Sequence, residues 1–274
     1  MKHSITPSRS SGPRTAARRT VASKFAFVVV LAVSAAMSFP IHAEAMKDVE
    51  EVKEASVTFK SGTVIEIAFF SVEGGKEAQL GIEYFPEIMP IAAKYGGRIL
   101  ATFHVTAVTG GDIQPQIVAI FEWPDLKARD RLLADPEATK LFPIRDDALT
   151  FIALAYYTVE QDATVTFRED KTYEFYNGWL TPSAKEALPE YFKQSDAPKQ
   201  KYGPPKFLVG LKPVETEAKE DFVLRPNISG IVEWTSTGAY LGLIADPEFR
   251  KAAPLLEKSV TRLDMVHTKF DFSQ

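Results

Sequence analysis

The sequence predicts an α+β fold in which two tandem β-α-β-β-α-β repeats close into one barrel within a single chain. The first observation is a pair of motifs that returns 111 positions later, in the same order and without a gap between them. Phe121-Glu122-Trp123 returns as Val232-Glu233-Trp234, and Ala134–Glu137 returns as Ala245–Glu248. Repetition at a fixed distance indicates that one structural unit has been duplicated.

The second observation extends this repetition upstream. Ala55–Lys60 returns as Ala163–Arg168 after 108 positions, and Lys94-Tyr95-Gly96 returns as Lys201-Tyr202-Gly203 after 107 positions. The order of the motifs is kept while the spacing changes slightly, which indicates small insertions between them. We therefore divide the chain into a leader at 1–45, a first repeat at 46–161 and a second, diverged repeat at 162–274.

The leader has the features of a signal peptide. Its six cationic residues precede an apolar run from Phe25 to Phe39, which is shorter than the roughly 20 residues that span a bilayer. Ala43-Glu44-Ala45 has the A-x-A form of a cleavage site, and cleavage is expected after Ala43 or Ala45. Arg18-Arg19 admits the twin-arginine route as an alternative, but the residues around the pair favour general secretion. The expected location is the periplasm.

Removal of the leader makes the protein acidic. The full chain has 32 basic and 36 acidic residues, and the first 43 residues contain six of the basic and none of the acidic ones. Without a basic cluster, nucleic acid and anionic membranes are not expected as partners. The chain has no cysteine, which excludes disulfides and thiolate catalysis.

Within the first repeat, Thr63–Phe70 is β-branched and aromatic and predicts a strand. A helix is expected from about Lys76 to Lys94, weakened at its start by prolines and ended by Tyr95-Gly96-Gly97. Further strands are predicted at 99–108, 116–123 and 150–159, and the last strand of the second repeat at 264–272. Asp135-Pro136-Glu137 begins a helix between strands, and Asp246-Pro247-Glu248 does the same in the second repeat.

This order of elements is the ferredoxin-like unit, which leaves one face of its sheet without helices. In the third strand, Ile117, Ala119, Phe121 and Trp123 alternate with Val118 and Ile120, so both faces are apolar and must be buried. The bare face of one repeat is therefore expected to cover that of the other, as an intramolecular pseudodimer.

Most of residues 57–161 resembles the DUF1330-type branch of the dimeric α+β barrel superfamily. The resemblance is carried by Tyr95–Leu100, Ile120–Trp123 and Asp135-Pro136-Glu137, with Arg145 downstream. It implies a barrel of two facing sheets, which members of the superfamily usually form by dimerisation. The superfamily includes cofactor-free monooxygenases, haem enzymes, isomerases and stress-induced proteins, so the resemblance implies a fold without fixing an activity.

Two histidines, His104 and His267, remain after removal of the leader. His104 inside the barrel would suit a general base, whereas a partly exposed strand histidine would have a structural role. His267 shares its predicted face with Lys269 and Asp271 and is expected to be solvated. Neither histidine has the spacing of a metal site, and the predicted helices offer no histidine for haem, so no metal and no cofactor are expected.

Arg98 and Arg145 occur in the first repeat, whereas the second repeat has Pro205 and Leu256 at the corresponding positions. The two arginines could hold a carboxylate, or could form ion pairs with Glu122, Asp146 and Asp147. Glu122 and Glu233 share one repeat position, as do the two tryptophans that follow them, which favours an architectural role. If the first repeat alone kept a site, its residues would be His104, Arg98, Arg145, Tyr95 and Tyr156.

These observations favour a protein that binds a small, partly apolar molecule between its two sheets. The aromatic residues expected to line or fill that space are Phe69, Phe70, Phe103, Phe121, Tyr156 and Tyr157. One alternative is a cofactor-independent monooxygenase or isomerase with His104 as the base near Arg98. Another is a structural or partner-binding periplasmic protein with a solid barrel. The segment from Ser195 to Pro205 is expected to be a loop, because three prolines interrupt it.

Overall fold

The computed structural model describes residues 52–216 and 222–273, so the predicted leader lies outside the described residues. The described part of the chain forms strands and helices in an α+β arrangement. The strands are β1 (Glu54–Phe59), β2 (Val64–Val72), β3 (Arg98–Gly110), β4 (Ile117–Trp123), β5 (Leu149–Thr158), β6 (Ala163–Arg168), β7 (Thr172–Leu180), β8 (Lys206–Pro213), β9 (Ile228–Trp234) and β10 (Val260–Phe270). The α-helices are α1 (Phe85–Lys94), α2 (Leu126–Ala134), α3 (Pro136–Ala148), α4 (Ala184–Lys201), α5 (Thr237–Ala245) and α6 (Pro247–Ser259).

Eight strands form a closed antiparallel barrel in the order β10-β3-β4-β2-β5-β8-β9-β7, with β7 returning to β10. The four strands β3-β4-β2-β5 come from the first half of the chain, and β8-β9-β7-β10 come from the second half. One seam joins β3 to β10, with Phe103 opposite Phe270. The other seam joins β5 to β8 through two residue pairs, Tyr157 with Pro213 and Thr158 with Lys212. The predicted α+β class with a large antiparallel sheet is confirmed.

The strands β2, β4 and β5 of the first half are mainly apolar on both faces, as the alternation in β4 predicts. In β2, Ile65, Ile67 and Phe69 belong to the core inside the barrel, while Ala68 and Phe70 pack under the helices. In β4, Val118 and Ile120 take the inner face and Trp123 the outer one. The protein therefore has a core within the barrel and a separate core between the first sheet and its helices.

Side chains occupy the space between the two sheets. The ring of Phe103 lies at its centre, with centroid distances of 4.9 Å to Phe175, 5.1 Å to Phe167 and 5.2 Å to Phe270. The aromatic residues expected to line a cavity there are in fact divided between two faces: Phe69, Phe103 and Tyr157 point inward, and Phe70, Phe121 and Tyr156 point outward. The structure therefore does not support a ligand between the sheets, because the aromatic rings that point inward are packed together.

β1 and β6 form a separate two-stranded antiparallel sheet that the sequence did not predict. Their residues are the repeated segments Ala55–Lys60 and Ala163–Arg168, which pair with each other so that Val57 lies opposite Val165. Phe59 and Phe167 are fully buried and join the core of the barrel. The two strands could not be recognised locally, since each pairs with a partner more than 100 residues away.

The predicted helix starts and ends are present. Oδ1 of Asp135 accepts hydrogen bonds from the backbone N–H groups of Glu137 and Ala138 at 2.7 and 3.2 Å, and Asp246 caps α6 in the same way. A π-helical turn, Gln79–Tyr84, precedes α1, in agreement with a helix weakened at its start. Gly96 ends α1 with a φ of 79°, which glycine adopts readily.

The predicted loop from Ser195 to Pro205 is wrong over most of its length. α4 continues to Lys201 and contains Pro189 and Pro198 within the helix. A proline in a helix removes one backbone hydrogen bond, but burial of its neighbours can outweigh that loss. Here Tyr191, Ser195 and Pro198 are all buried. Tertiary packing therefore maintains a helix that the local sequence disfavours.

Candidate functional site

A pocket lies on the outer face of the first sheet, beneath the helices of the first half. Its cavity volume is about 110 Å³. The walls are mostly apolar, and the sheet and the helices both contribute. Among the lining residues are Ala68, Phe70, Phe121, Ile152 and Leu154 from the sheet, and Leu80, Phe85, Ile88, Met89, Leu132 and Phe142 from the helices and the π-helical turn. Glu66, Tyr84, Arg98, Arg129 and Arg145 contribute polar groups to the same pocket.

Glu66, Trp123 and Arg129 form a buried polar group in the wall. Nε1 of Trp123 donates a hydrogen bond to Oε2 of Glu66 at 3.1 Å, and Nε of Arg129 lies 3.4 Å from the same oxygen. Glu66 is 8% exposed and Arg129 is 6% exposed. The Arg129 guanidinium also lies over the ring of Tyr156, 5.1 Å from its centroid. These contacts come from β2, β4, α2 and β5, so the packing of helices on the sheet assembles the group.

Burial dominates the electrostatics of this wall. It raises the pKa of Glu66 above its ordinary value, although the nearby Arg129 and Arg145 guanidinium groups and the Trp123 hydrogen bond act in the opposite direction. Burial also raises the pKa of the Tyr84 hydroxyl, which Arg145 partly offsets. Burial therefore favours the protonated form of both the Glu66 carboxyl group and the Tyr84 phenol.

Arg145 lies where α3 borders the pocket. Its Nε and a terminal nitrogen contact Oδ1 of Asp146 at 2.8 and 2.7 Å, and its guanidinium lies 4.9 Å from the centroid of Phe142. The Asp146 side chain is 61% exposed, whereas that of Arg145 is 25% exposed. Exposed ion pairs contribute little, typically about 0–1 kcal/mol, so a ligand carboxylate could compete with Asp146 for Arg145.

Arg98 also contributes to the lining, but its guanidinium is held by a buried partner. Its Nε and a terminal nitrogen lie 2.9 and 2.8 Å from Oε1 of Glu122, which sits directly opposite on β4. The structure thus brings Arg98 and Arg145 to one pocket, as the sequence suggested, and also gives both of them the ion-pair partners expected of structural arginines.

The corresponding region of the second half has a similar buried carboxylate but different neighbours. Nε1 of Trp234 donates to Oε2 of Glu174 at 3.1 Å, which repeats the arrangement of Trp123 and Glu66. His267 is completely buried, packs against Tyr240 in a tilted arrangement with 4.3 Å between ring centroids, and places Nε2 3.1 Å from Oε2 of Glu174. That nitrogen is not oriented for a hydrogen bond to the carboxylate. The expectation that His267 is solvated is wrong.

In the second half, large aromatic rings pack together in the region that corresponds to the pocket of the first half. Tyr191, Trp234, Tyr240 and Phe249 belong to one buried cluster under α4, α5 and α6. Tyr240 stands 111 positions after Arg129, and Leu256 stands 111 positions after Arg145. The arginines that line the pocket of the first half therefore have uncharged counterparts in this cluster.

The remaining sequence-predicted site residues lie elsewhere. His104 is on the outside of the barrel with a side chain that is 63% exposed, and its Nε2 lies 3.5 Å from Oδ2 of Asp271. An interior general base at this position is therefore excluded by the structure, since Phe103 occupies the inward direction. The Tyr95 hydroxyl donates to Oδ2 of Asp135 at 2.8 Å and supports the start of α3. Tyr156 is buried beside Arg129 and does touch the polar wall.

Sequence reasoning missed Glu66, Tyr84 and Arg129. A signal was present in β2, where Glu66 is the single charged residue in the apolar run Val64–Phe70. Its counterpart Glu174 occupies the same repeat position, 108 residues later. A carboxylate kept within a buried strand requires a partner, and that requirement could have directed the search to the helices.

Two broader features bear on the chemistry. Within the described ranges 52–216 and 222–273, no group of three or more potential metal ligands could hold a metal ion. None of the helices in those ranges is long and apolar enough to cross a membrane.

The comparison with protein families agrees with the resemblance read from the sequence. Residues 68–156 match the family model "Domain of unknown function (DUF1330)". This segment is similar to that family. It spans β2 to β5 and includes most of the residues that line the pocket. No curated protein matches the chain.

Solved structures similar to the chain share low identity with it. An anthrone oxidase-like protein is 13% identical, with 79% of this chain and 94% of that protein covered and a TM-score of 0.48. A variant of chlorite dismutase from Candidatus Nitrospira defluvii is 10% identical, with 77% and 92% covered and a TM-score of 0.45. A protein of unknown function from Rhodopseudomonas palustris is 20% identical, with 37% and 83% covered and a TM-score of 0.32.

Proposed function

We propose that the protein binds a small organic acid with an apolar body, in the pocket between the helices and the first sheet. The observation that carries this proposal is the charge of the pocket. Arg98, Arg129 and Arg145 line an otherwise apolar cavity together with one acidic residue, Glu66. The carboxylates that pair with Arg98 and Arg145 are not among the residues that line it.

The second half of the chain supports this assignment. Pro205, Tyr240 and Leu256 stand at the positions that correspond to the three arginines, and aromatic rings pack together there. The buried Glu–Trp pair, by contrast, is present in both halves. These three arginines therefore accompany the pocket and not the fold, as expected if they serve a ligand.

Arg145 and Tyr84 are the best candidates for binding the acid group. Arg145 contributes a planar donor group, which suits a carboxylate, and its present partner Asp146 is exposed enough to be displaced. The Tyr84 hydroxyl is buried close to Arg145 and remains a donor. Arg129 is less available, since Glu66 holds it within the wall.

The size of the cavity limits the apolar body of the ligand. An engineered apolar cavity of about 150 Å³ takes up benzene. The present cavity of about 110 Å³ therefore suits a short chain or a single ring whose carboxylate stays near Arg145 at the side of the pocket. Butyrate and benzoate bracket this range.

We further propose that the barrel is a pseudodimer of two tandem ferredoxin-like units, 46–161 and 162–274. The sequence repeats and the two corresponding sets of four strands support this reading. The signal-peptide features of the first 45 residues support export to the periplasm, and the acidic mature chain argues against nucleic acid or membranes as partners. His104 has no role in this proposal, because it lies outside the barrel.

Calorimetric titration of the mature protein with benzoate, butyrate and their neutral amides tests the function. We expect the acids to bind and the amides to bind at least tenfold more weakly. Arg145→Leu, which installs the residue of the second half, should weaken acid binding by about 10- to 100-fold, since a hydrogen bond to a charged group contributes about 1.5–3 kcal/mol.

Arg131→Leu is the matched control, because Arg131 is an exposed arginine of α2 that does not line the pocket. Its affinity for benzoate should equal that of the unmodified protein. Equal affinity for benzoate and benzamide, or unchanged affinity in Arg145→Leu, would contradict the proposal.

A further inference from the structure

Among the described residues that line the pocket, Glu66 is the one acidic residue. A ligand that is itself an acid would bring a second carboxylate next to it. Resting on the function proposed above, we propose that Glu66 is the specificity-determining residue of the pocket and that it takes up a proton when the organic acid binds. The pocket then receives one anion together with one proton, and it selects molecules that can accept a hydrogen bond from a protonated carboxyl group.

The carboxyl group of Glu66 lies where a ligand would contact it. Oε2 of Glu66 accepts from Trp123 and faces Arg129, while the residue as a whole is buried on the floor of the cavity. Arg129 and Glu66 compensate each other, so the buried pair adds no net charge. A ligand that enters the cavity comes to lie against Glu66, because Ala68 and Phe70 on the same strand face also line it.

Several charged and titratable groups surround the Glu66 carboxyl group. The charged and titratable groups that face this region come from five elements around the pocket: Arg98 on β3, Arg129 on α2, Arg145 on α3, Tyr84 on the π-helical turn and Tyr156 on β5. Arg98 is held by Glu122 and Arg129 by Glu66. Arg145 alone is available for an incoming carboxylate, after displacement of the exposed Asp146.

A bound organic acid favours the protonated form of Glu66. Two carboxylates that share a buried site do not both remain ionised, because like charges and loss of water each favour the protonated form. The ligand excludes water from a carboxyl group whose pKa burial has already raised. The proton on Glu66 removes the repulsion between the two acids, and it also releases the buried Arg129 from its pair with Glu66. Arg129 then joins Arg145 in offsetting the charge of the ligand, so that neither the ligand nor Arg129 is left as an uncompensated buried charge. Protonated Glu66 then has an O–H that donates to an oxygen of the ligand.

Glu174, the counterpart of Glu66 in the second half, distinguishes the proposed role of Glu66 from a purely structural one. Glu174 is buried and accepts from Trp234 as Glu66 accepts from Trp123, but it faces His267 and packed rings instead of a cavity. The Glu–Trp hydrogen bond is thus a shared structural feature. Contact with a cavity is specific to Glu66, and it is this contact that makes protonation depend on a ligand.

Calorimetry with benzoate in two buffers of different ionisation enthalpy, phosphate and Tris, measures the number of protons taken up at pH 7. We expect uptake close to one proton per benzoate, and an affinity that falls by up to about tenfold per pH unit as the pH rises. In Glu66→Gln, benzoate should still bind, uptake should fall to near zero, and the affinity should become independent of pH. Glu174→Gln makes the same change in the matching buried pair and should retain the uptake.

Carboxyl-labelled glutamate in the unmodified protein provides a second measurement that does not depend on a variant folding. One glutamate carboxyl resonance in the carbon NMR spectrum should change to the protonated form on saturation with benzoate. Benzoate binding without proton uptake, or uptake that persists in folded Glu66→Gln, would overturn this inference while leaving the proposed function intact. Failure of both benzoate and butyrate to bind would overturn the two together.

Discussion

The buried pair of Glu66 and Arg129 allows a quantitative test of how this half of the protein is stabilised. Arg129→Met keeps the apolar stem of the side chain and removes the charge. The Arg129 and Glu66 side chains are 7% and 11% exposed, so solvent screens them little. Removal of one partner of a buried pair leaves an uncompensated charge and costs about 3–5 kcal/mol. We expect a loss of this size in the free energy of unfolding at pH 7.

The pH dependence of this loss has a definite sign. Burial raises the pKa of Glu66 above its ordinary value of 4.5, so the folded protein holds the proton more tightly than the unfolded chain. A raised carboxyl pKa therefore lowers stability as pH increases from about 4.5 through the folded value. Without Arg129 that pKa lies higher still, and a protonated Glu66 no longer needs a cation. The loss in Arg129→Met should consequently be smaller at pH 5 than at pH 7.

Urea unfolding followed by circular dichroism at the two pH values provides the measurement. Arg131→Met is the control on the same helix, and as an exposed residue it should change stability by less than about 1 kcal/mol. The double variant with Glu66→Gln should recover part of the loss, since no buried charge remains. A loss below about 1 kcal/mol at pH 7, or an equal loss at both pH values, would refute the reasoning.

Two further predictions concern the pocket floor and the leader. Gly97→Ala should destabilise the protein by about 1–3 kcal/mol in a urea titration, because a Cβ there would lie 2.3 Å from the Trp123 ring. Gly74→Ala, with nothing within 4 Å, should have little effect, and equal effects of the two changes would contradict this. N-terminal sequencing of protein from the periplasm should show a mature chain that begins just after Ala43 or Ala45. Recovery of the intact chain in the cytoplasm alone would contradict export.

The elements of the fold were predictable wherever their determinants are local. The strand at β2 follows from its β-branched residues, and Asp135-Pro136 contains the capping group and the proline that start α3. Where distant parts of the chain decide the outcome, local reasoning failed. The prolines of α4 suggested a loop, and only burial of Tyr191 and Ser195 against the rest of the second half explains the helix.

Packing by a distant helix explains why the expected solvation of His267 was wrong. Regular alternation assigns His267 to the face of Met265 and Lys269, and β10 does pair with β7 without a register shift from Leu263 to Thr268. Tyr240 of α5 covers this face at His267, with 4.3 Å between the ring centroids, and buries the histidine. For His104 the sequence left an interior and a partly exposed position open, because alternation does not tell which face is inside, and Phe103 takes the interior position.

The site was predictable in part through comparison of the two repeats. The loss of Arg98 and Arg145 in the second copy directed attention to the first half, where both residues line the pocket. Glu66 and Arg129 were not linked, because they lie on different elements and meet only when α2 packs on the sheet. The position of the pocket, outside the barrel and not within it, depends on how completely the inner side chains fill their space.

The covalent union of the two halves has an evolutionary consequence. In a barrel assembled from two identical chains, each substitution appears twice, so a pocket cannot be opened on one side without opening its mate. In the pseudodimer proposed above, a single chain removes that constraint. Here one half has arginines around a cavity, while the other has Tyr191, Tyr240 and Phe249 in a compact cluster. The first half can thus specialise in binding the proposed ligand while the second half contributes rigidity. The barrel also persists at any dilution, because its two halves cannot dissociate.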